Sequence, residues 1–134
     1  MSKKIKVLIV DDSEIVVERL SAIISEMPCI GPVLISNSFN QAVDLLHVEI
    51  PVVALLDIQL PGKNGIELLG FLKSNYSEVK TIVVTNRSSE SYKLLCADMG
   101  ANSFVDKSTE FEQIPGIIES FCIHASETNI PLPC

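Results

Sequence analysis

The chain reads as an α/β protein built on a doubly wound, five-stranded parallel sheet, and three observations predict it. Five short, β-branched apolar runs alternate with five longer stretches of helical period, the pattern that buries a parallel sheet between two layers of helices. The run Val52–Leu56 is apolar throughout, as a strand covered on both faces must be. With 134 residues, 47% hydrophobic and 20% charged, the chain has the size and composition to bury one domain core without staples.

The elements follow in order. Ile5–Val10 is the first strand, closed by Asp11 and Asp12. Val16, Leu20, Ile23, Ile24 and Met27 then recur at helical spacing until Pro28 ends the segment. Val33–Ile35 is the second strand. A helix over Asn40–His47 carries Ala42, Val43, Leu45 and Leu46 and stops before Pro51. After the third strand, Val52–Leu56, a helix beginning at Gly65 presents Ile66, Leu69 and Leu72. Thr81–Val84 is the fourth strand. Ser88 and Ser89 precede a helix with Tyr92, Leu95, Cys96 and Met99, and Gly100 stops it. Ser103–Val105 is the fifth strand, and the last helix gathers Ile114, Ile118, Phe121 and Cys122 on one face. Right-handed crossovers leave few arrangements of five such units, and the flavodoxin-like (βα)5 order 2-1-3-4-5 is the expectation. The domain is expected to span 1–125, with 126–134 as a short C-terminal tail. The ten residues after His124 are too few for an output domain.

Charge and cysteine content exclude several function classes. Ten Lys and Arg against 17 Asp and Glu give a net charge of −7, so nucleic acid, which needs clustered cations, is not an expected partner. The apolar run after the basic N-terminus is only Val7–Val10. That is short of the about 7–15 residues of a secretory core and of a membrane span, so a cytoplasmic location with no membrane partner is expected. Cys29, Cys96, Cys122 and Cys134 form no C-x-x-C pair. Cys96 and Cys122 lie in periodic apolar segments and read as small buried hydrophobes in a reducing compartment, and Cys134 as an exposed terminal residue.

In a doubly wound sheet, sites form at the carboxyl ends of the strands beside the point where strand order reverses. Strand 1 ends in Asp11-Asp12, strand 3 in Asp57, strand 4 in Thr85 and strand 5 in Asp106-Lys107, and that strand order brings these ends together. Three crowded carboxylates repel one another, and a hard divalent cation with oxygen ligands, Mg²⁺ above all, relieves the conflict. A metal there bridges to an incoming phosphate, while Lys107 and the Thr85 hydroxyl each take another phosphoryl oxygen. The set describes phosphoryl transfer to a carboxylate, with Asp57 as nucleophile. Singly, each residue has a plainer reading: Asp12 as a turn or helix cap, Lys107 as a solvated charge, Thr85 as an ordinary strand end.

The segments Val7-Leu-Ile-Val-Asp11-Asp12-Ser13, Leu55-Leu-Asp57-Ile-Gln-Leu-Pro61-Gly62, Gly65, Val83-Val-Thr85 and Phe104-Val-Asp-Lys107 resemble the receiver domains of two-component signalling proteins. The likeness spans residues 5 to about 124, and the spacings agree, with Thr85 28 positions and Lys107 50 positions after Asp57. The resemblance implies that Asp57 is the phosphoacceptor. Asp12, Asp57 and the backbone carbonyl of Gln59 would ligate Mg²⁺ directly, and Asp11 would act mainly through a bound water. Thr85 and Lys107 would hold phosphoryl oxygens, with Thr85 and Phe104 forming the switch pair. Gln59, Asn86 and Arg87 would flank the access route. The donor would be a sensor histidine kinase or phosphotransfer protein. Output would pass to a downstream protein through the face of helix 4, strand 5 and helix 5, where Lys93, Asp106 and Glu110 fall.

Three positions depart from the common receiver pattern. Ser108 stands where proline usually follows the lysine, so the Lys107-Ser108 peptide is expected to be trans. Asn86 replaces a small residue. Pro115 interrupts the last helix, which predicts a short turn over Thr109–Glu112, spaced as a capping box, and a fresh start near Pro115. Three other readings compete. A phosphatase with an aspartyl nucleophile on strand 1 would need Asp-x-Asp there, and this chain has adjacent aspartates. A degenerate receiver serving as a phosphorylation-independent docking module would have lost site residues, and all five expected ones are present. A nucleotide-binding relative fails for want of a Gly-rich loop after strand 1.

Overall fold

A computed structural model describes residues 4–60, 64–86 and 89–129, with side chains through Cys122. Five strands, β1 (Ile5–Val10), β2 (Ile30–Ser36), β3 (Val53–Leu56), β4 (Lys80–Thr85) and β5 (Ser103–Asp106), alternate with five helices. These are α1 (Glu14–Ser25), α2 (Phe39–Val48), α3 (Gly65–Asn75), α4 (Glu90–Asp98) and α5 (Ile114–Asn129). The strands are all parallel and lie in the order β2-β1-β3-β4-β5, as the alternation predicts.

Alternate residues of β1 divide the core. Val7 and Ile9 pack with Leu20 and Ile24 of α1 and Ile114 and Ile118 of α5 on one side of the sheet. Leu8 and Val10 pack with Ala42 and Leu46 of α2, Leu68, Leu69 and Leu72 of α3 and Cys96 of α4 on the other. The four residues of β3 are all buried, which is what its unbroken apolar run anticipates. Ser13, Ser38, Asn64 and Ser89 each cap the following helix, the side-chain oxygen accepting the backbone N–H three residues on. Each cap satisfies a donor that the first helical turn leaves unpaired. Among the described residues, no helix is long and apolar enough to cross a membrane.

Several local expectations change. β2 begins at Ile30, ahead of the expected Val33, because Ile30 already pairs with Ile5 of β1. Pro32 is accommodated where the β1–β2 register shifts between Ile5 and Val7, the kind of irregularity that tolerates a residue without an N–H. α1 stops at Ser25, and Met27 packs on the core from the turn beyond it. The turn before α5 is a 3-10 turn over Phe111–Gln113 rather than Thr109–Glu112, and it has no side-chain cap. α5 then starts afresh at Ile114 with Pro115 in its first turn. No described peptide bond is cis, Lys107-Ser108 included.

The reading of Cys122 as a small buried hydrophobe in a reducing compartment holds for its burial and is corrected for its redox state: it is joined to Cys29 in a disulfide, with Cα atoms 6.2 Å apart. The pair is 93 residues apart in sequence, and only the return of α5 alongside the α1–β2 turn brings it together. Cys96 is the free, buried cysteine among the described residues, and burial pushes its thiol pKa up. Cys134 lies outside the described residues.

Candidate functional site

The sheet register sets the site. Val10 pairs with Leu56, so the next residue of each strand, Asp11 and Asp57, emerges beside the other at the carboxyl edge. The ladder carries on past them, Asp57 donating its N–H to the Val10 carbonyl at 3.0 Å and Asp11 donating its own to Ser36 at 3.0 Å. On the other side of β3, Thr85 pairs with Asp106, and the Lys107 N–H donates to the Thr85 carbonyl at 3.0 Å. Four strand ends thus deliver the chemistry.

Both buried aspartates are held in the same way. Asp11 Oδ1 accepts the Ser13 N–H at 2.9 Å, and Asp57 Oδ1 accepts the Gln59 N–H at 3.0 Å, the local bond that lets an aspartate turn the chain out of a strand. Each presents its second oxygen to one cation: Lys107 Nζ lies 2.7 Å from Asp11 Oδ2 and 2.8 Å from Asp57 Oδ2. Asp11 is 3% and Asp57 4% exposed. Asp12 is exposed, yet one oxygen of each of the three aspartates falls within 4.8 Å of the others.

The Lys107 ammonium serves two of the three carboxylates, Asp11 and Asp57, and burial is the largest single influence on the titration of Asp11 and of Lys107. Burial pushes the Asp11 carboxyl above its ordinary 3.8 despite the opposing bonds from Lys107 and Ser13. Burial also pulls the Lys107 ammonium down, but its hydrogen bonds to Asp11 and Asp57 more than offset this and hold it above 10.5. An all-oxygen donor set with excess negative charge suits a hard divalent cation, and carboxylates are the ligands such ions take. The residues present therefore fit Mg²⁺.

The surrounding residues divide by depth. Thr85 is fully buried at the end of β4. Phe104 is half-buried on β5, on the α2–α3–α4 side, with the Lys93 ammonium 6.0 Å from its ring centroid. Gln59 and Asn86 are exposed, and Arg87 lies outside the described residues, as do Pro61 and Gly62. A cleft of about 590 Å³ opens beside the cluster, lined by Asp12, Gln59, Asn64 and Tyr92 among others. Gly65 is required at the start of α3: its N–H donates to Ile58 at 2.8 Å, and a Cβ there would overlap the Asp57 carbonyl oxygen.

Sequence reasoning missed one feature. Asp106, Ser108 and Glu110 form a hydrogen-bonded turn around Lys107, with the Asp106 carboxylate accepting from both the N–H and the hydroxyl of Ser108. The Asp-x-Ser spacing was its only sequence signal, and it is a common one.

The response regulator receiver domain family matches residues 7–119. Among solved structures, the chain resembles a CheY-like response regulator receiver domain protein from Methanospirillum hungatei, with 23% identity and a TM-score of 0.83 over 96% of this chain and 100% of that one. It also resembles the response regulator domain of CheB from Thermotoga maritima, with 25% identity and a TM-score of 0.79 over 96% of this chain and 100% of that one. A LuxR-family two-component response regulator from Aurantimonas sp. shares 23% identity at a TM-score of 0.83, over 91% and 87% of the two chains. With the acidic cluster of Asp11, Asp12 and Asp57 at the carboxyl edge of a 2-1-3-4-5 sheet, the chain belongs to the response regulator receiver domain family.

Proposed function

We propose that Asp57 accepts a phosphoryl group from the phosphohistidine of a sensor histidine kinase or phosphotransfer protein. The observation that carries this reading is a buried carboxylate, Asp57, bonded to Lys107 at 2.8 Å inside a cluster of acidic oxygens that suits a divalent cation. An Asp57 oxygen attacks phosphorus in line with the bond to the donor nitrogen. That P–N bond breaks, the imidazole leaves with its electron pair, and an acyl phosphate remains. Asp11, Asp12, Asp57 and the Gln59 carbonyl would hold Mg²⁺, which when bound supplies neutralisation of the oxygens of the transferring group. Lys107, already on Asp57, is placed to hold one phosphoryl oxygen, and the Thr85 hydroxyl at the neighbouring strand end another.

Movement of Thr85 toward the phosphoryl group, with Phe104 following inward, would carry the change to the face of α4, β5 and α5. A downstream protein would read it there, with Lys93, Asp106 and Glu110 as candidate contacts, in the cytoplasm and without direct nucleic-acid or membrane binding. The chain would act as a signalling protein whose only catalysis is its own phosphorylation and dephosphorylation. Incubation with acetyl phosphate and Mg²⁺ tests the reading on a phosphate-affinity gel. The wild type is expected to shift, and Asp57→Asn and the chelated wild type are not. A shift retained by Asp57→Asn would contradict the assignment.

A further inference from the structure

We infer that Ser108, Asp106 and Glu110 are positioning residues that aim the Lys107 ammonium at the Asp57 oxygen. The role rests on the phosphoryl-transfer reading for its consequence, but its geometry stands apart from it. A lysine side chain has four rotatable carbon–carbon bonds to order, and fixing its tip costs conformational entropy. That cost falls when the backbone at its root cannot move. Here the root is tied on both sides. Ahead of Lys107, the Asp106 N–H donates to Glu110 Oε1 at 3.0 Å, and the Glu110 N–H donates back to the Asp106 carbonyl at 2.9 Å. Behind it, the Ser108 N–H and hydroxyl both donate to Asp106 Oδ1, at 2.8 and 2.6 Å. Lys107 contributes the last rung of the β4–β5 ladder through its own N–H.

The bonds to Asp106 and Glu110 carboxylates are charge-assisted, stronger than neutral ones. They also depend on the residue at 108 having an N–H, because a proline there would delete one donor and a residue without a hydroxyl the other. Ser108 therefore does by hydrogen bonding, across a trans peptide, what a rigid ring would do by covalent constraint. Its hydroxyl acts on the site only through the direction of Lys107.

The test uses the full chain. The Lys107 side chain is 9% exposed and doubly bonded, so its ammonium protons are expected to be protected from exchange and observable by NMR. In Ser108→Ala, that ammonium signal is expected to broaden by solvent exchange, and phosphorylation by acetyl phosphate at saturating Mg²⁺ to slow about tenfold. Mg²⁺ affinity is expected to stay unchanged, because it depends on the aspartates, and Ser108→Thr to restore both losses. A Lys107 signal unaffected in Ser108→Ala overturns the proposal, as does a parallel loss of Mg²⁺ affinity or a failure of Ser108→Thr to rescue. Should Ser108→Ala not fold, Glu110→Ala, which removes the acceptor at the Asp106 N–H, is read in the same way. If the wild type takes no phosphoryl group, the phosphoryl-transfer reading falls, and the ammonium signal still decides the positioning role.

Discussion

Asp11 has an ionised form that burial opposes and a neutral form that the protein does not need. Its carboxyl is held above 3.8 by desolvation in spite of two hydrogen bonds. A carboxyl pKa raised in the folded state contributes stability that is fully present below 3.8 and is lost as pH rises through the folded value. Asp11→Asn removes that loss and keeps an acceptor for the Ser13 N–H. In metal-free buffer near neutral pH, the variant is expected to melt about 2–5 °C above the wild type, the gap closing as the pH falls toward 3.8. An equal or lower melting temperature would contradict the balance drawn for Asp11. Lys107 has the same sign at much higher pH: its raised pKa contributes stability that is fully present below 10.5 and is lost only as pH climbs through the folded value. Exposed Asn86 follows buried Thr85 at the mouth of the site, where a polar side chain can orient or obstruct the water that would hydrolyse an acyl phosphate. Asn86→Ala is expected to shorten the lifetime of the phosphorylated form severalfold, measured as loss of label after donor removal. Equal or slower loss would leave Asn86 with no gating role. At this scale the sequence displayed the identities of the site residues but not their bonds. Nothing in Asp106-Lys107-Ser108 distinguishes a solvated turn from one that fixes the lysine, because the distinction lies in which acceptor each donor finds.

Element boundaries were legible wherever one residue decided them and illegible where tertiary contacts did. Gly100, at a φ of 94°, closes α4 as its sequence position predicts, since that conformation strains any residue with a side chain. Ser89, one of the two serines expected just ahead of α4, caps it, whereas the caps Ser13, Ser38 and Asn64 were not read from the sequence. The turn before α5 was not legible either: Thr109 and Glu112 have capping-box spacing, yet it is Glu110 that is recruited, by the Asp106 N–H. The Glu110 carboxylate ties back to the strand, and the 3-10 turn that follows has no side-chain cap. Pro115 illustrates the converse, a residue whose placement follows from what it lacks. In the first turn of α5 its missing N–H has no intrahelical partner to lose. Pro115→Ala is therefore expected to change stability by no more than about 0.5 kcal/mol in urea unfolding, while proline at the buried Ile118 position should cost about 3 kcal/mol or more. A large loss in Pro115→Ala would show that the ring does more than permit the helix start.

For the whole molecule, the alternation of strands and helices narrowed the sheet order to a few arrangements, because right-handed crossovers exclude the rest, and the favoured order 2-1-3-4-5 is the one observed. The disulfide was invisible for the opposite reason. Cys29 and Cys122 are 93 residues apart, and no local pattern encodes a contact that exists only once α5 has packed beside α1. A link closing so long a span restricts the unfolded chain and is expected to contribute about 2–4 kcal/mol. Reduction, or Cys29→Ser, should lower the urea midpoint accordingly, and thiol counting before and after reduction should reveal the pair; an unchanged midpoint would deny the link a stabilising role. The carboxyl edge of the sheet is where fold and chemistry meet, since one register places Asp11, Asp57, Thr85 and Lys107 together. The most direct test of what that edge does is to trap the acyl phosphate. Borohydride reduction of the Mg²⁺- and phosphodonor-treated protein, followed by peptide mass spectrometry, converts a phosphorylated aspartate to homoserine and locates it. The account predicts homoserine at position 57 alone, formed only when Mg²⁺ is present. Conversion at Asp11 or Asp12, conversion without the metal, or none at all would contradict it.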